Sequence, residues 1–157
     1  PCVFIDDDGQ AYLYHGGCGR IIGAKMKDNM MELDGEMKTM EGLDDFHEGT
    51  WIHKYKGKYY LSYASGFPER IAYAMADSIE GPWVYQGILN EWAGNSSSNH
   101  QAIQEYKGRW YFFYHNGVLK GGTSCSRSVC ADYLYYNADG TMRRVQMTSE
   151  GVLPVVK

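Results

Sequence analysis

Three copies of a glycine-centred aromatic motif recur along the chain and constrain its fold more than any other feature. The copies are Asp8-Gly9-Gln10-Ala11-Tyr12-Leu13-Tyr14, Lys56-Gly57-Lys58-Tyr59-Tyr60-Leu61 and Lys107-Gly108-Arg109-Trp110-Tyr111-Phe112. Their glycines are 48 and then 51 residues apart. An apolar segment precedes each glycine and an aromatic segment follows it, which is the pattern of a β-hairpin. A repeat of about 50 residues therefore organises the chain.

Each repeat contains further strand candidates, separated by turn signals such as Glu80-Gly81-Pro82. Outside the aromatic strands, the predicted strands are 3–5, 21–26, 51–55, 71–76, 83–88, 102–106, 128–136 and 142–146. Up to four strands per repeat match a β-propeller blade. The fold class is predicted to be all-β, a β-propeller with approximate four-stranded blades at 1–46, 47–97 and 98–157. A β-sandwich is the alternative, because its turns have a similar spacing.

Composition agrees with a β-protein and excludes several functions. Of 157 residues, 15% are aromatic, 14 of them Tyr, and 19 are Gly. Tyr favours strands and Gly favours turns. The net charge of −4 lacks the basic excess of a nucleic-acid binder, and no apolar run reaches the ~18 residues of a membrane helix. We therefore expect neither nucleic acid nor a membrane as a partner. The four cysteines, Cys2, Cys18, Cys125 and Cys130, lack zinc-type spacing and are expected to be structural or free thiols.

The number of blades is itself informative. Propellers close with about four to eight blades, whereas three blades leave sheet edges open. We therefore expect residues 1–157 to form one incomplete propeller domain. Its missing upstream blades would lie in the same chain or in a companion chain.

Two polar residues at the starts of repeats are candidates for a site in the central channel. Glu48 precedes Gly49 and Trp51, and a carboxylate in such surroundings can lose solvent, which raises its pKa towards that of a general acid. His100 opens the third repeat 52 residues later, so both side chains would face the channel. The structural alternatives are a solvated loop carboxylate and a hydrogen-bonded histidine.

Other candidates are less specific. Arg127, before an apolar segment, could clamp an oxygen-rich ligand or form a surface ion pair. The tryptophans Trp51, Trp92 and Trp110 could stack on sugar rings, although recurring aromatic positions favour a role in the core. The run Asp6-Asp7-Asp8 before Gly9 lacks the EF-hand pattern and predicts a turn rather than a calcium loop.

Four segments of the sequence match the pattern of a known family. They are residues 1–14; Glu48-Gly49-Thr50-Trp51 with residues 53–61; Asn99-His100-Gln101-Ala102-Ile103; and Arg127-Ser128-Val129 with residues 133–137 and Asp139-Gly140-Thr141. In this order they resemble glycoside hydrolase family 43. Together they span nearly the whole chain, which is similar to the C-terminal three-fifths of the family's catalytic domain.

This resemblance implies a five-bladed propeller and an inverting glycosidase that removes α-L-arabinofuranosyl or β-D-xylosyl residues from plant glycans. Glu48 matches the general acid, and His100 matches a histidine that helps to hold a channel water or a metal ion, often calcium. Arg127 matches an arginine that contacts the sugar being cleaved, and Trp51 and His100 are further expected substrate-binding residues. No cofactor is expected to be required, and a structural Ca²⁺ in the channel is the expected metal.

The departures from the family pattern limit what this chain can do alone. The family's general base is an Asp of the first blade, and a third carboxylate that tunes the acid precedes the position of Pro1; neither lies in this sequence. We therefore expect no useful glycosidase activity without the upstream blades. Two other functions stay open: a carbohydrate-binding propeller without catalysis, and a protein-binding propeller of the kelch type.

Overall fold

A computed structural model describes residues 1–17 and 19–154, which form eleven β-strands. The strands are β1 (Cys2–Ile5), β2 (Ala11–Gly17), β3 (Arg20–Lys25), β4 (Lys38–Thr39), β5 (Phe46–Tyr55), β6 (Lys58–Ser65), β7 (Arg70–Ala76), β8 (Val84–Asn90), β9 (Ala102–Tyr106), β10 (Arg109–Asn116) and β11 (Ser128–Leu134). No helix in the described part of the chain is long and apolar enough to cross a membrane. Cys2, Cys125 and Cys130 are free thiols, and Cys18 lies outside the described residues.

The strands form three antiparallel sheets in chain order, as the repeat predicts. The first sheet is β1-β2-β3-β4, the second is β5-β6-β7-β8, and the third is β9-β10-β11. The prediction of a fourth strand at residues 142–146 is wrong. Among the described residues, that segment makes only isolated bridges, Tyr136 to Met142 and Asn90 to Val145, the second of them to the end of β8. The third sheet therefore has three strands.

The repeated glycines form the expected hairpin turns. Lys56 and Gly57 link β5 to β6 with φ of 47° and 77°, and Lys107 and Gly108 link β9 to β10 with φ of 51° and 76°. Two consecutive residues with positive φ make a type I′ turn, whose twist matches that of the strands. The first repeat has a longer turn, in which Gly9 N donates to Asp6 O. The turn predicted for the aspartate run is confirmed.

The second sheet lies between the other two and buries both of its faces. Along β6, Tyr59, Leu61 and Tyr63 pack in the core shared with the first sheet. Tyr60, between them, packs in the core shared with the third sheet. Successive side chains of a strand point to opposite faces, so a nearly continuous apolar run fills two cores. This packing of sheet on sheet fixes how the three blades sit around the channel.

Polar contacts between blades add to the packing. Lys54 Nζ on β5 donates to Asp6 Oδ1 of the first turn at 2.6 Å, and Tyr59 Oη donates to Asp6 Oδ2 at 2.5 Å. Between the second and third blades, Gln101 Nε2 donates to Gly49 O at 2.9 Å and to Ser62 Oγ at 3.0 Å. The last contacts lie next to Glu48 and His100, so the blade interface also places the candidate site.

Candidate active site

Glu48 lies where β5 departs from regular pairing. The register of β5 with β6 shifts on both sides of Glu48, between Phe46 and Glu48 and between Glu48 and Trp51. Such bulges re-aim a side chain that a regular strand would turn elsewhere. Gly49 is required here for two reasons. Its φ is +68°, and a Cβ at this position would lie 3.0 Å from Cδ2 of His100.

The structure brings Glu48 and His100 together and adds a residue that the sequence did not reveal. His100 Nε2 lies 3.3 Å from Glu48 Oε1 and 3.6 Å from Glu69 Oε2. The side chain of Glu48 is 46% exposed, whereas that of Glu69 is 1% exposed. The cluster therefore has one solvent-facing carboxylate and one buried carboxylate, both close to the same imidazole nitrogen.

Glu69 is held by contacts on several sides. Its Oε2 accepts from the backbone N–H of Asn99 at 2.8 Å, and its Oε1 lies 3.1 Å from Nδ1 of His47. Because Asn99 precedes His100 and His47 precedes Glu48, the buried carboxylate contacts both segments that carry the predicted residues. The Glu69 carboxyl group can therefore fix the distance between the segment of Glu48 and the segment of His100.

The pKa directions in this chain differ from the sequence expectation. Burial acts to raise the pKa of Glu48, but the charge of His100 and a hydrogen bond from Glu69 outweigh it, so the pKa of Glu48 is lowered. Burial raises the pKa of Glu69, against the opposing effects of Asn99 N–H and His100. The expected rise for Glu48 is therefore wrong for these three blades. The charge of His100 and the hydrogen bond from Glu69 explain the difference, because the sequence argument considered burial alone.

Arg127 joins the cluster indirectly. Its NH1 donates to Ser98 Oγ at 3.3 Å, and Nε2 of His115 lies 3.2 Å from the same hydroxyl and 3.0 Å from Ser98 O. The rings of His115 and His100 are 5.8 Å apart. Burial lowers the pKa of His115, and the positive charges of Arg127 and His100 lower it further. Ser98 and His115 therefore connect the exposed Arg127 to His100.

Trp51, an expected substrate-binding residue, is partly buried at the interface between the second and third blades. Its indole Nε1 donates to Ile103 O at 3.0 Å, and its ring packs against the core between the second and third sheets. The structure therefore gives Trp51 a packing role at the blade interface. Trp110 is likewise partly buried against this core.

Comparison with known proteins identifies the family. The model of glycosyl hydrolases family 43 matches residues 1–142. This chain belongs to family 43 of the glycosyl hydrolases. A β-xylosidase of Xylanibacter ruminicola is 34% identical over 93% of this chain and 57% of its own length. The chain thus spans somewhat more than half the length of this relative.

Solved family 43 structures have the same fold. An α-L-arabinofuranosidase from Clostridium thermocellum is 42% identical with a TM-score of 0.83, over 94% of this chain and 52% of its own. A β-xylosidase/α-arabinofuranosidase from a compost metagenome, in complex with xylotriose and in a calcium-free form, is 31% identical with a TM-score of 0.86, over 93% of this chain and 57% of its own. The predicted β-propeller fold is confirmed.

Among the described residues, the cluster also has the donors that a cation needs. One ligand atom from each of Glu48, Glu69 and His100 lies within 4.8 Å of the others. Nε2 of His100 is buried without a partner in hydrogen-bond geometry. Carboxylate oxygens suit Ca²⁺, which takes about six to eight oxygen ligands, so water would complete the shell. The residues fit a hydrated cation better than a fully protein-ligated one.

The sequence analysis did not identify Glu69, His47 or His115 as site residues. For Glu69, the order of the strands contains a signal that could have identified it. Glu69 immediately precedes β7, whose start lies at the same sheet end as the start of β5, because β5, β6 and β7 are successive antiparallel neighbours. A carboxylate directly before a buried strand at that end is therefore a neighbour of Glu48.

Proposed function

We propose that this chain supplies the acid-bearing blades of an inverting glycosidase that removes terminal α-L-arabinofuranosyl or β-D-xylosyl residues from xylan-type glycans. The observation that carries the proposal is the placement of Glu48, half exposed at the bulge of β5 and in contact with His100 and the buried Glu69. The family and the names of its relatives support the substrate class.

In this proposal Glu48 protonates the glycosidic oxygen as the sugar leaves. A second carboxylate, from a blade outside this chain, activates water on the opposite face of the sugar. An inverting pair of this kind stands about 6.5–9.5 Å apart. Arg127, held by Ser98, donates to sugar hydroxyls, and His100 keeps Glu48 in place.

The lowered pKa of Glu48 in these three blades supports the need for further carboxylates. A general acid works best when its pKa lies near the working pH. Negative charges from neighbouring blades raise the pKa of a nearby carboxyl group, and burial by those blades does the same. We therefore expect the pKa of Glu48 to rise when the whole propeller is assembled.

Exposed apolar side chains on both outer sheets support a partner that continues the propeller. Val3 and Ile5 of the first sheet are 46% and 58% exposed, and Phe113 and Val129 of the third are 38% and 86% exposed. Tyr12 and Phe112, their neighbours on the opposite sheet faces, are buried in the two cores. Further blades would cover both outer faces and remove their apolar area from water.

We also propose that His100 holds a calcium ion through water, with the carboxyl group of Glu69 beside it. When bound, the ion would supply fixed positive charge at the floor of the site. The calcium-free form named for the compost enzyme supports calcium as the cation to test.

The test is hydrolysis of xylobiose and of 4-nitrophenyl β-D-xyloside by the whole enzyme with Glu48→Gln. Removing a general acid lowers turnover by roughly 10²–10⁴-fold. The loss should be larger for xylobiose, because 4-nitrophenolate leaves without a proton whereas a sugar alkoxide does not. The exposed Glu41→Gln serves as the control and should retain activity. NMR of the first product should show the inverted anomer.

Equal losses on both substrates would contradict the acid role of Glu48. Wild-type turnover by Glu48→Gln on both substrates would likewise show that Glu48 is not the general acid. If the wild-type enzyme binds xylotriose but hydrolyses neither these substrates nor 4-nitrophenyl α-L-arabinofuranoside, it is the carbohydrate-binding propeller instead.

A further inference from the structure

Trp92 is an exposed aromatic ring in a fixed orientation. It follows β8 and is 52% exposed. Its indole Nε1 donates to Ser96 O at 2.7 Å, within its own loop. This hydrogen bond holds the exposed ring in one orientation. A side chain that is oriented before a ligand arrives loses less entropy when it binds.

The loop that carries Trp92 is closed at its base by a buried residue. Asn99 Nδ2 donates to Asn90 Oδ1 at 2.8 Å and to Glu91 O at 3.3 Å. Ser96, also buried, donates from Oγ to Ser98 O at 2.7 Å. These contacts hold the two ends of the loop together and leave the tryptophan at its surface.

A cavity lies beside the ring and offers polar groups. Its volume is about 420 Å³, and it is lined by Glu91, Trp92, Arg144, Gln146 and Met147. Glu91 and Arg144 form an ion pair, so their charges balance, and Gln146 adds an amide. Ligand sites combine apolar and aromatic walls with a few polar groups that orient the ligand. This combination suits a neutral ring with one C–H face and several hydroxyl groups.

The cavity is on the same end of the propeller as Glu48. Asn99 links the two regions, because its backbone N–H donates to Glu69 Oε2 and its side chain binds Asn90 and Glu91. Glu69 contacts His100 beside Glu48. The Trp92 cavity and Glu48 therefore lie at the same end of the second and third blades.

We infer that Trp92, with Glu91, Arg144 and Gln146, forms a second carbohydrate-binding site that holds internal xylosyl units of a neutral xylan chain. The identity of the glycan rests on the proposed function. The site itself rests on the oriented ring, the cavity and the balanced charges. Both blades that build it belong to this chain, so the site does not depend on the base-bearing blades.

The experiment follows the indole N–H resonance of Trp92 by NMR, and the affinity by calorimetry, while the protein is titrated with xylohexaose. We expect the Trp92 resonance to shift, and Trp92→Ala to weaken binding about tenfold, the value of one stacked aromatic contact. Trp92→Phe should retain part of the affinity. Tyr106→Ala is the matched control, since Tyr106 is 53% exposed at the far end of β9 and should leave affinity unchanged.

Unchanged xylohexaose affinity in a folded Trp92→Ala protein, or equal losses in Trp92→Ala and Tyr106→Ala, would overturn the inference. The same titration in Glu48→Gln separates the two proposals. Binding at Trp92 without hydrolysis by the wild-type protein would contradict the glycosidase and keep this site. Hydrolysis without a shift of the Trp92 resonance would support the glycosidase and contradict this second site.

Discussion

At the scale of single residues, Glu69 is the group whose surroundings are least usual. Its carboxyl group is buried, and its main hydrogen bond is from Asn99 N–H. Because burial raises its pKa, Glu69 holds a proton more readily than an ordinary glutamate. Its contribution to stability is therefore full below the unfolded-state pKa and is lost as the pH rises through the folded-state pKa.

We expect Glu69→Gln and Glu69→Leu to separate the acceptor from the charge. Gln keeps an oxygen for Asn99 N–H and cannot ionise, so it should remove the loss of stability at rising pH. Leu leaves that buried N–H unpaired, which costs about 1–3 kcal/mol. Urea unfolding at several pH values measures both effects. If the two variants were equally destabilised, the acceptor would not be what Glu69 contributes.

At the scale of elements, the bulge of β5 places Glu48, and Gly49 permits the bulge. Gly49→Ala has a strain cost of about 1–2 kcal/mol for the left-handed backbone, and its Cβ would lie 3.0 Å from the His100 ring. Gly57→Ala has the same kind of backbone cost, with φ of +77° and nothing within 4 Å of the new Cβ. We expect Gly49→Ala to be the more destabilised and to shift the His100 ring resonances, as measured by urea unfolding and NMR. Equal behaviour of the two variants would mean that His100 moves aside without cost.

The same elements show which parts of the structure could be predicted from the sequence. The hairpins were predictable because Lys-Gly turns and aromatic strands are local signals, and β9 has the predicted limits. Glu48 and His100 were predictable because they start successive repeats. Glu69 lies outside the repeated motif, and only the order of the strands in the sheet brings it next to Glu48. The segment 142–146 reads as a strand, but its Val145 bonds to Leu89 O across a blade interface, which no local pattern encodes.

At the scale of the whole molecule, the core between the second and third sheets contains a histidine that makes folding sensitive to acid. His53 stacks on Tyr60 with ring centres 4.9 Å apart, and its Nε2 lies 2.8 Å from Tyr136 Oη. Burial lowers the pKa of His53 to about 3. In the unfolded chain the histidine pKa is about 6.5. Between about pH 6.5 and 3, the unfolded chain therefore binds a proton at His53 that the folded chain does not bind.

Stability should consequently fall as the pH drops below about 6.5, and His53 alone should account for about 3 kcal/mol at pH 4.5. His115, whose pKa is also lowered, acts in the same direction. His53→Phe keeps an aromatic ring in the core and should flatten the pH dependence of stability between pH 6.5 and 4.5. His115→Gln should remove only the smaller contribution of a partly buried site. Urea unfolding at several pH values measures how steeply stability depends on pH in each variant. Because His53 joins two blades and lies away from the Glu48 cluster, the difference between the two variants measures the contribution of the blade interface. An unchanged slope in His53→Phe would mean that the blade interface opens to admit the proton before the chain unfolds.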